Sequence, residues 1–101
     1  MARPKLTARQ KANKRIRQSD EHKAWSNAVR GRDGFTCQRC GKQPKSRKSI
    51  HAHHIVPFAK AAELRFDVDN GVTLCKVCHR WVHAARIVVT RVDNKVTFST
   101  P

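Results

Sequence analysis

At 101 residues with 39% hydrophobic composition, several of those residues alanines, the chain has room for one domain and too little apolar surface to outweigh the entropy of folding without a cross-link. Its 22 Lys and Arg against 7 Asp and Glu give a net charge of +15 with all histidines neutral, a field that makes a polyanion, nucleic acid above all, the expected partner. A membrane is not expected as a partner: no run reaches transmembrane length, and no amphipathic stretch is rich in large apolar residues.

Residues 1–18 read as a basic arm. Seven Lys or Arg and no acid fall in the first 17 positions, with Leu6 and Ile16 as the sizeable apolar residues, so the segment is expected to be disordered or a frayed helix that orders on DNA. Ser19 then offers an N-cap, with Asp20 and Glu21 at the positive end of a helix dipole, and predicts a helix from about Asp20 to Arg30. Trp25, Ala28 and Val29 make its apolar stripe and Gly31 its stop; Trp25 is read as core rather than as a platform for a base.

Phe35 to Gly41 predicts a zinc knuckle, with Gly41 relieving strain after the second thiolate, and Gln43 to Ser49 a polar, basic loop. Ile50 to Val56 reads as a short strand ended by Pro57, Phe58 to Arg65 as one or two helical turns, and Phe66 to Gly71 as turn chemistry leading into a second strand, Val72 to Leu74. A helix is expected from Lys76 to Arg86, with Val77, Trp81 and Ala84 or Ala85 on one face and Val82 beside Cys78. Ile87 to Val92 and Lys95 to Ser99 predict a terminal hairpin joined through Asp93-Asn94.

The cysteines fall as Cys37-x-x-Cys40 and Cys75-x-x-Cys78, with 34 residues between the two pairs. Two such pairs, one on a turn and one at a helix start, can converge on a tetrahedral site with no open position, which predicts a structural Zn2+. A disulfide framework would need an oxidising compartment, but no apolar stretch of signal-peptide length opens the sequence, so a reducing, cytoplasmic setting is expected. A redox dithiol would make the second pair redundant, and an iron centre is the other user of this ligand set.

Three polar features remain together: His53-His54 at a strand end, Asn70 before the second strand, and His79 one residue past the last thiolate. With Ala52-His53-His54-Ile55-Val56-Pro57 and the run Asn70 to His79, the chain resembles the HNH endonuclease family in its zinc-containing branch, over residues 37 to about 83. The resemblance implies a ββα-metal (His-Me finger) core in an α+β fold, stapled by the four-cysteine zinc and flanked by an N-terminal helix and the C-terminal hairpin, so that residues 19–101 form a single nuclease domain. It implies that His53 and His79 bind a catalytic divalent ion, that His54 is the general base, and that Asn70 tethers the loop and orients that base.

Many members of the family carry Asp where this chain has His53, so nitrogen replaces an anionic oxygen; Mn2+, Ni2+, Co2+ and Zn2+ suit such a site, with Mg2+ retained as a candidate. His83, four residues after His79 on one helix face, is an accessory candidate; His51, on the strand face of His53, is a candidate to line the site, but it and His22 are assigned no catalytic part. Arg39, Lys42, Lys45, Arg47, Lys48, Lys76 and Arg80 are the candidate DNA contacts. The function expected is metal-dependent hydrolysis of DNA phosphodiester bonds with weak sequence specificity. Small basic members of the family further imply a phage-encoded nuclease acting in the host cytoplasm with terminase or other packaging proteins. The alternative is a non-catalytic zinc module that binds nucleic acid.

Overall fold

A computed structural model describes residues 5–56 and 62–101. Helix α1 (Ala8–Arg17) is followed by α2 (Asp20–Arg32), strand β1 (Ile50–His54), strand β2 (Gly71–Cys75), helix α3 (Lys76–Ala84) and the strands β3 (Val88–Val92) and β4 (Lys95–Ser99). Short 3-10 turns cover Arg47–Ser49, Ala62–Leu64 and Val68–Asn70. The helical turns expected over Phe58 to Arg65 lie partly outside the described residues; within them, Ala62–Leu64 is such a turn.

The basic arm is more ordered than its charge suggests. Thr7 Oγ1 accepts from the Gln10 amide at 3.1 Å while the Thr7 amide donates to Gln10 Oε1 at 2.8 Å, a reciprocal capping box that satisfies two donors at the start of α1. No residue of α1 is buried, so the helix shows that a Thr-x-x-Gln signal can outweigh like-charge repulsion locally. Ser19 caps α2 as expected, accepting from the His22 amide.

The end of α2 departs from expectation. The helix runs through Gly31 to Arg32 and stops where Gly34 takes a φ of +63°, with the Phe35 amide donating to Arg30 at 2.8 Å and the Gly34 amide to Gly31 at 3.1 Å. This double bond pattern is a Schellman stop, and it needs the left-handed residue at position 34 rather than 31. Helix α3 ends by the same motif two residues earlier than expected, with Arg86 as the left-handed residue and the Ile87 amide donating to Val82 at 2.9 Å.

Strands β1 and β2 pair antiparallel, with Ile50 opposite Cys75 and His54 opposite Gly71. One face of this ribbon receives α2 through Trp25 and Val29, both buried, whereas Ala28 is exposed and drops out of the expected stripe. Asp33 fixes the angle of α2: its carboxylate takes two bonds from Arg32 at 2.9 Å and one from the Thr73 amide at 3.1 Å. Burial opposes its charge, but these donors prevail and hold it below its usual pKa. Arg32 also reaches the carbonyls of Val68 and Gly71 at 2.6 and 2.7 Å.

The core lies between β2, α3 and β3, where Ile50, Val72, Leu74, Val82, Ile87 and Val89 pack with Cys37, Cys75 and Cys78. In α3 the buried residues are Cys78 and Val82; Val77 is 67% exposed and Ala84 and Ala85 face solvent, which corrects the expected face by about one position. The terminal hairpin forms as expected, Asp93 and Asn94 both taking positive φ as a two-residue primed turn requires. Among the described residues, no helix is long and apolar enough to cross a membrane.

Candidate metal centre and nuclease site

The knuckle turn and the β2–α3 junction bring the four cysteine sulfurs within 4.8 Å of one another, none in a disulfide. Cys40 Sγ and Cys75 Sγ are 3.7 Å apart, against about 3.8 Å for two ligands of a tetrahedral zinc with Zn–S near 2.3 Å. Within each pair the second amide donates to the first sulfur at 3.5 Å, from Cys40 to Cys37 and from Cys78 to Cys75, which favours the thiolate form. Arg39 adds a donor 3.6 Å from Cys78 Sγ and lays its guanidinium 3.7 Å over the Trp81 ring. Four sulfurs without a cation cannot all ionise: burial raises the Cys37 thiol but amide donors pull it down to about 6, while burial and its neighbours push Cys78 up to about 12. The cluster fits a structural zinc, which would turn all four into ligands.

Strand alternation sorts the β1 histidines onto two faces. His51 and His53 look toward α3, and His54 looks toward α2. On the α3 side, His79 and His83 are four residues apart and share a helix face, and ligand nitrogens of His53, His79 and His83 lie within 4.8 Å of one another. His79 Nε2 and His83 Nε2 are 3.0 Å apart, close to the ~3.0 Å separation of neighbouring octahedral nitrogens at about 2.1 Å from an ion. Burial and the neighbouring imidazoles press His53 and His79 down to about 4, so both are neutral at neutral pH and offer lone pairs. These residues fit a divalent ion with three imidazole ligands.

On the opposite face the His54 ring stacks on Trp25, centroids 3.8 Å apart and planes 11° from parallel. Trp25 is itself held by its Nε1 donating to the Asp67 carbonyl at 2.8 Å. His54 Nε2 lies 3.0 Å from the Arg65 carbonyl, an acceptor, so Nε2 carries the hydrogen and Nδ1 the lone pair. Burial lowers the His54 pKa, the Arg65 carbonyl opposes that, and the charges of His22, Arg17 and Arg65 lower it further, which keeps the ring neutral.

Asn70, 7% exposed, closes the loop between the strands. Its Oδ1 accepts from the Val56 amide at 2.8 Å, its Nδ2 donates to the carbonyls of Val56 and Leu64 at 3.3 and 3.2 Å, and its carbonyl accepts from Ile55 at 2.9 Å. It therefore ties the end of β1 to the turn that presents the Arg65 carbonyl to His54.

The family model of the HNH endonucleases matches residues 37–85. This segment is an HNH domain. The match takes in both cysteine pairs, β1, β2 and the whole of α3. The chain is also similar to a protein named Anaredoxin from Nostoc sp. (strain PCC 7120 / SAG 25.82 / UTEX 2576), 23% identical over 69 residues that make up 68% of this chain and 84% of that one. No solved structure matches it significantly.

Of the site residues read from sequence, the HNH domain brings His53, His79 and His83 together, with His54 on the opposite face of β1 and Asn70 tying the loop that holds it. The candidate DNA contacts divide. Lys42 and Lys76 line one open concavity beside Pro44 and Val77, Lys45, Lys48 and Arg80 are exposed, and Arg47 lies 5.2 Å over Phe35, while Arg39 is engaged at the thiolate cluster. Sequence reasoning missed the Trp25 ring under His54, the Arg65 carbonyl and the contact of His51 with His79. For His51 the signal was its place two residues before His53, on the same strand face.

Proposed function

We propose that this chain is a metal-dependent endonuclease that hydrolyses DNA phosphodiester bonds, nicking or cutting both strands with weak sequence specificity. The observation that carries the reading is the convergence of His53, His79 and His83 nitrogens on one face of β1, with the neutral His54, its ring held on two sides, at the end of the same strand on the other face. His54 Nδ1 takes the proton of the attacking water; the Arg65 carbonyl keeps Nε2 protonated, and Trp25 keeps the ring from turning away. Asn70 holds both ends of the loop so that base and backbone carbonyl stay in register. A divalent ion bound by His53, His79 and His83 would supply charge stabilisation to the phosphate and the departing oxygen. Lys and Arg on α1, the knuckle loop and α3 neutralise phosphates without reading bases, so target choice is assigned to DNA shape or to a partner such as a phage packaging protein.

A plasmid assay tests this. Wild type is expected to convert supercoiled DNA to nicked or linear forms when Mn2+, Ni2+, Co2+, Zn2+ or Mg2+ is added to EDTA-treated protein, and His54→Ala to lose at least about 100-fold of that activity while still shifting DNA in a gel. Equal cleavage by His54→Ala sinks the base assignment. DNA binding without cleavage under every ion favours instead a zinc module that binds nucleic acid, a reading supported by the closed four-thiolate cluster and the +15 charge.

A further inference from the structure

We infer that His51 is a positioning residue: its imidazole fixes the tautomer of His79 and aims His79 Nε2 at the point where His53 and His83 converge. This rests on reading that point as a divalent-ion centre.

The 3-10 turn Arg47–Ser49 leads directly into β1 and leaves the Lys48 oxygen 3.0 Å from His51 Nε2. A carbonyl oxygen can only accept, so in the neutral ring His51 Nε2 carries the hydrogen and Nδ1 carries a lone pair. His51 Nδ1 is 2.7 Å from His79 Nδ1. One of two ring nitrogens at that distance must donate, and His51 has nothing left to donate there, so His79 does. The hydrogen of His79 is then on Nδ1 and its lone pair on Nε2, 3.0 Å from His83 Nε2 and within the ligand cluster that includes His53. The reverse order breaks the Lys48 bond and puts a hydrogen on His79 Nε2, where an ion has to bind.

The planes of the His51 and His79 rings stand 79° apart with centroids 4.9 Å from each other, so the rings do not stack and meet through their Nδ1 atoms. Because His51 and His53 share a strand face, one five-residue strand supplies both a ligand and the group that orients its neighbour. Such outer partners of a ligating histidine set its basicity and orientation, and losing one typically costs about 10–100-fold in metal affinity.

The test is calorimetric titration of Ni2+ into the full-length, zinc-loaded protein, comparing wild type with His51→Phe, His51→Gln and His79→Ala. His51→Phe is expected to weaken Ni2+ binding about 10–100-fold, and His51→Gln, whose amide can donate to Lys48 and accept from His79, to stay within about threefold of wild type. Thermal midpoints of both position-51 variants are expected to match. Long-range 1H–15N spectra of the zinc-loaded protein before Ni2+ addition should show His79 as the Nδ1–H tautomer in wild type and His51→Gln, and as a mixture in His51→Phe. Unchanged affinity in His51→Phe, with binding still lost in His79→Ala, overturns the role of His51 and leaves the centre standing. Equal loss in His51→Gln and His51→Phe overturns the hydrogen-bond basis in favour of shape. No Ni2+ binding by wild type overturns the centre, and this inference with it.

Discussion

Gly71 leaves no room for a methyl group. A Cβ placed there would overlap Val29 Cγ2 and lie 3.0 Å from Trp25 Cζ2 and 3.1 Å from Val29 Cγ1, while its own φ of −124° is ordinary extended backbone. The glycine is therefore needed for the close approach of α2 and not for a turn. Gly71→Ala is expected to cost about 1–3 kcal/mol, the usual range for overpacking a filled core, read as a fall in thermal midpoint. Gly31→Ala is the internal control. An added Cβ there meets nothing within 4 Å, and replacing glycine inside a helix should raise stability by about 0.5–1 kcal/mol. If both substitutions shift the midpoint the same way, the packing explanation for Gly71 fails. Asn70-Gly71 also shows what sequence hides: read locally, the pair signals a turn, but the atoms that demand glycine belong to residues 25 and 29, which the chain order gives no means of placing opposite it.

At the scale of elements, the legible features were those set by neighbours in sequence. The Ser19 cap, the two thiolate pairs, the β1 and β2 strands and the Asp93-Asn94 turn were each announced by a signal only a few residues long. The α1 cap was equally local, and the Thr7-x-x-Gln10 signal was masked by the charge of the arm. What strand period could not tell was which helix covers each face of β1, and so which of its histidines meet α3 and which meets Trp25 of α2. Helix α1 supports a separate prediction. Lys11, Lys14 and Arg15 are exposed along a helix with no buried residue, so replacing all three by Gln, which has similar helix propensity, should leave the thermal midpoint unchanged. If this face meets DNA phosphates, the slope of log affinity against log salt should become shallower by about 2–3, near 0.9 for each phosphate contact removed. An unchanged slope would assign α1 a solubilising role and move the contact surface to the knuckle loop and α3.

On the proposed reading the whole molecule holds two metal sites of different kinds, and they should fail separately. Cys37, Cys75 and Cys78 are members of the apolar core, so the four-thiolate site is also where the knuckle, β2 and α3 are joined. Structural zinc binding in small domains is worth about 10–16 kcal/mol, comparable to the entire ~5–15 kcal/mol stability of an ordinary domain, so loss of this ion should unfold the chain rather than loosen it. The histidine cluster is different: His83 is exposed and His53 and His79 are half-buried, and its residues sit on α3, which carries Cys78, and on β1, which pairs with β2 and its Cys75. Brief EDTA treatment is therefore expected to abolish cleavage while leaving the circular dichroism spectrum and one zinc per chain, with activity restored by a divalent ion. Cys78→Ser should lose helical signal and cleavage together, and no added ion should restore either. Loss of all metal and all helical signal in one step under EDTA would mean that the imidazole and thiolate sites are one cooperative unit. A Cys78→Ser protein with a wild-type thermal midpoint would mean that the apolar core, small as it is, holds α3 without the metal.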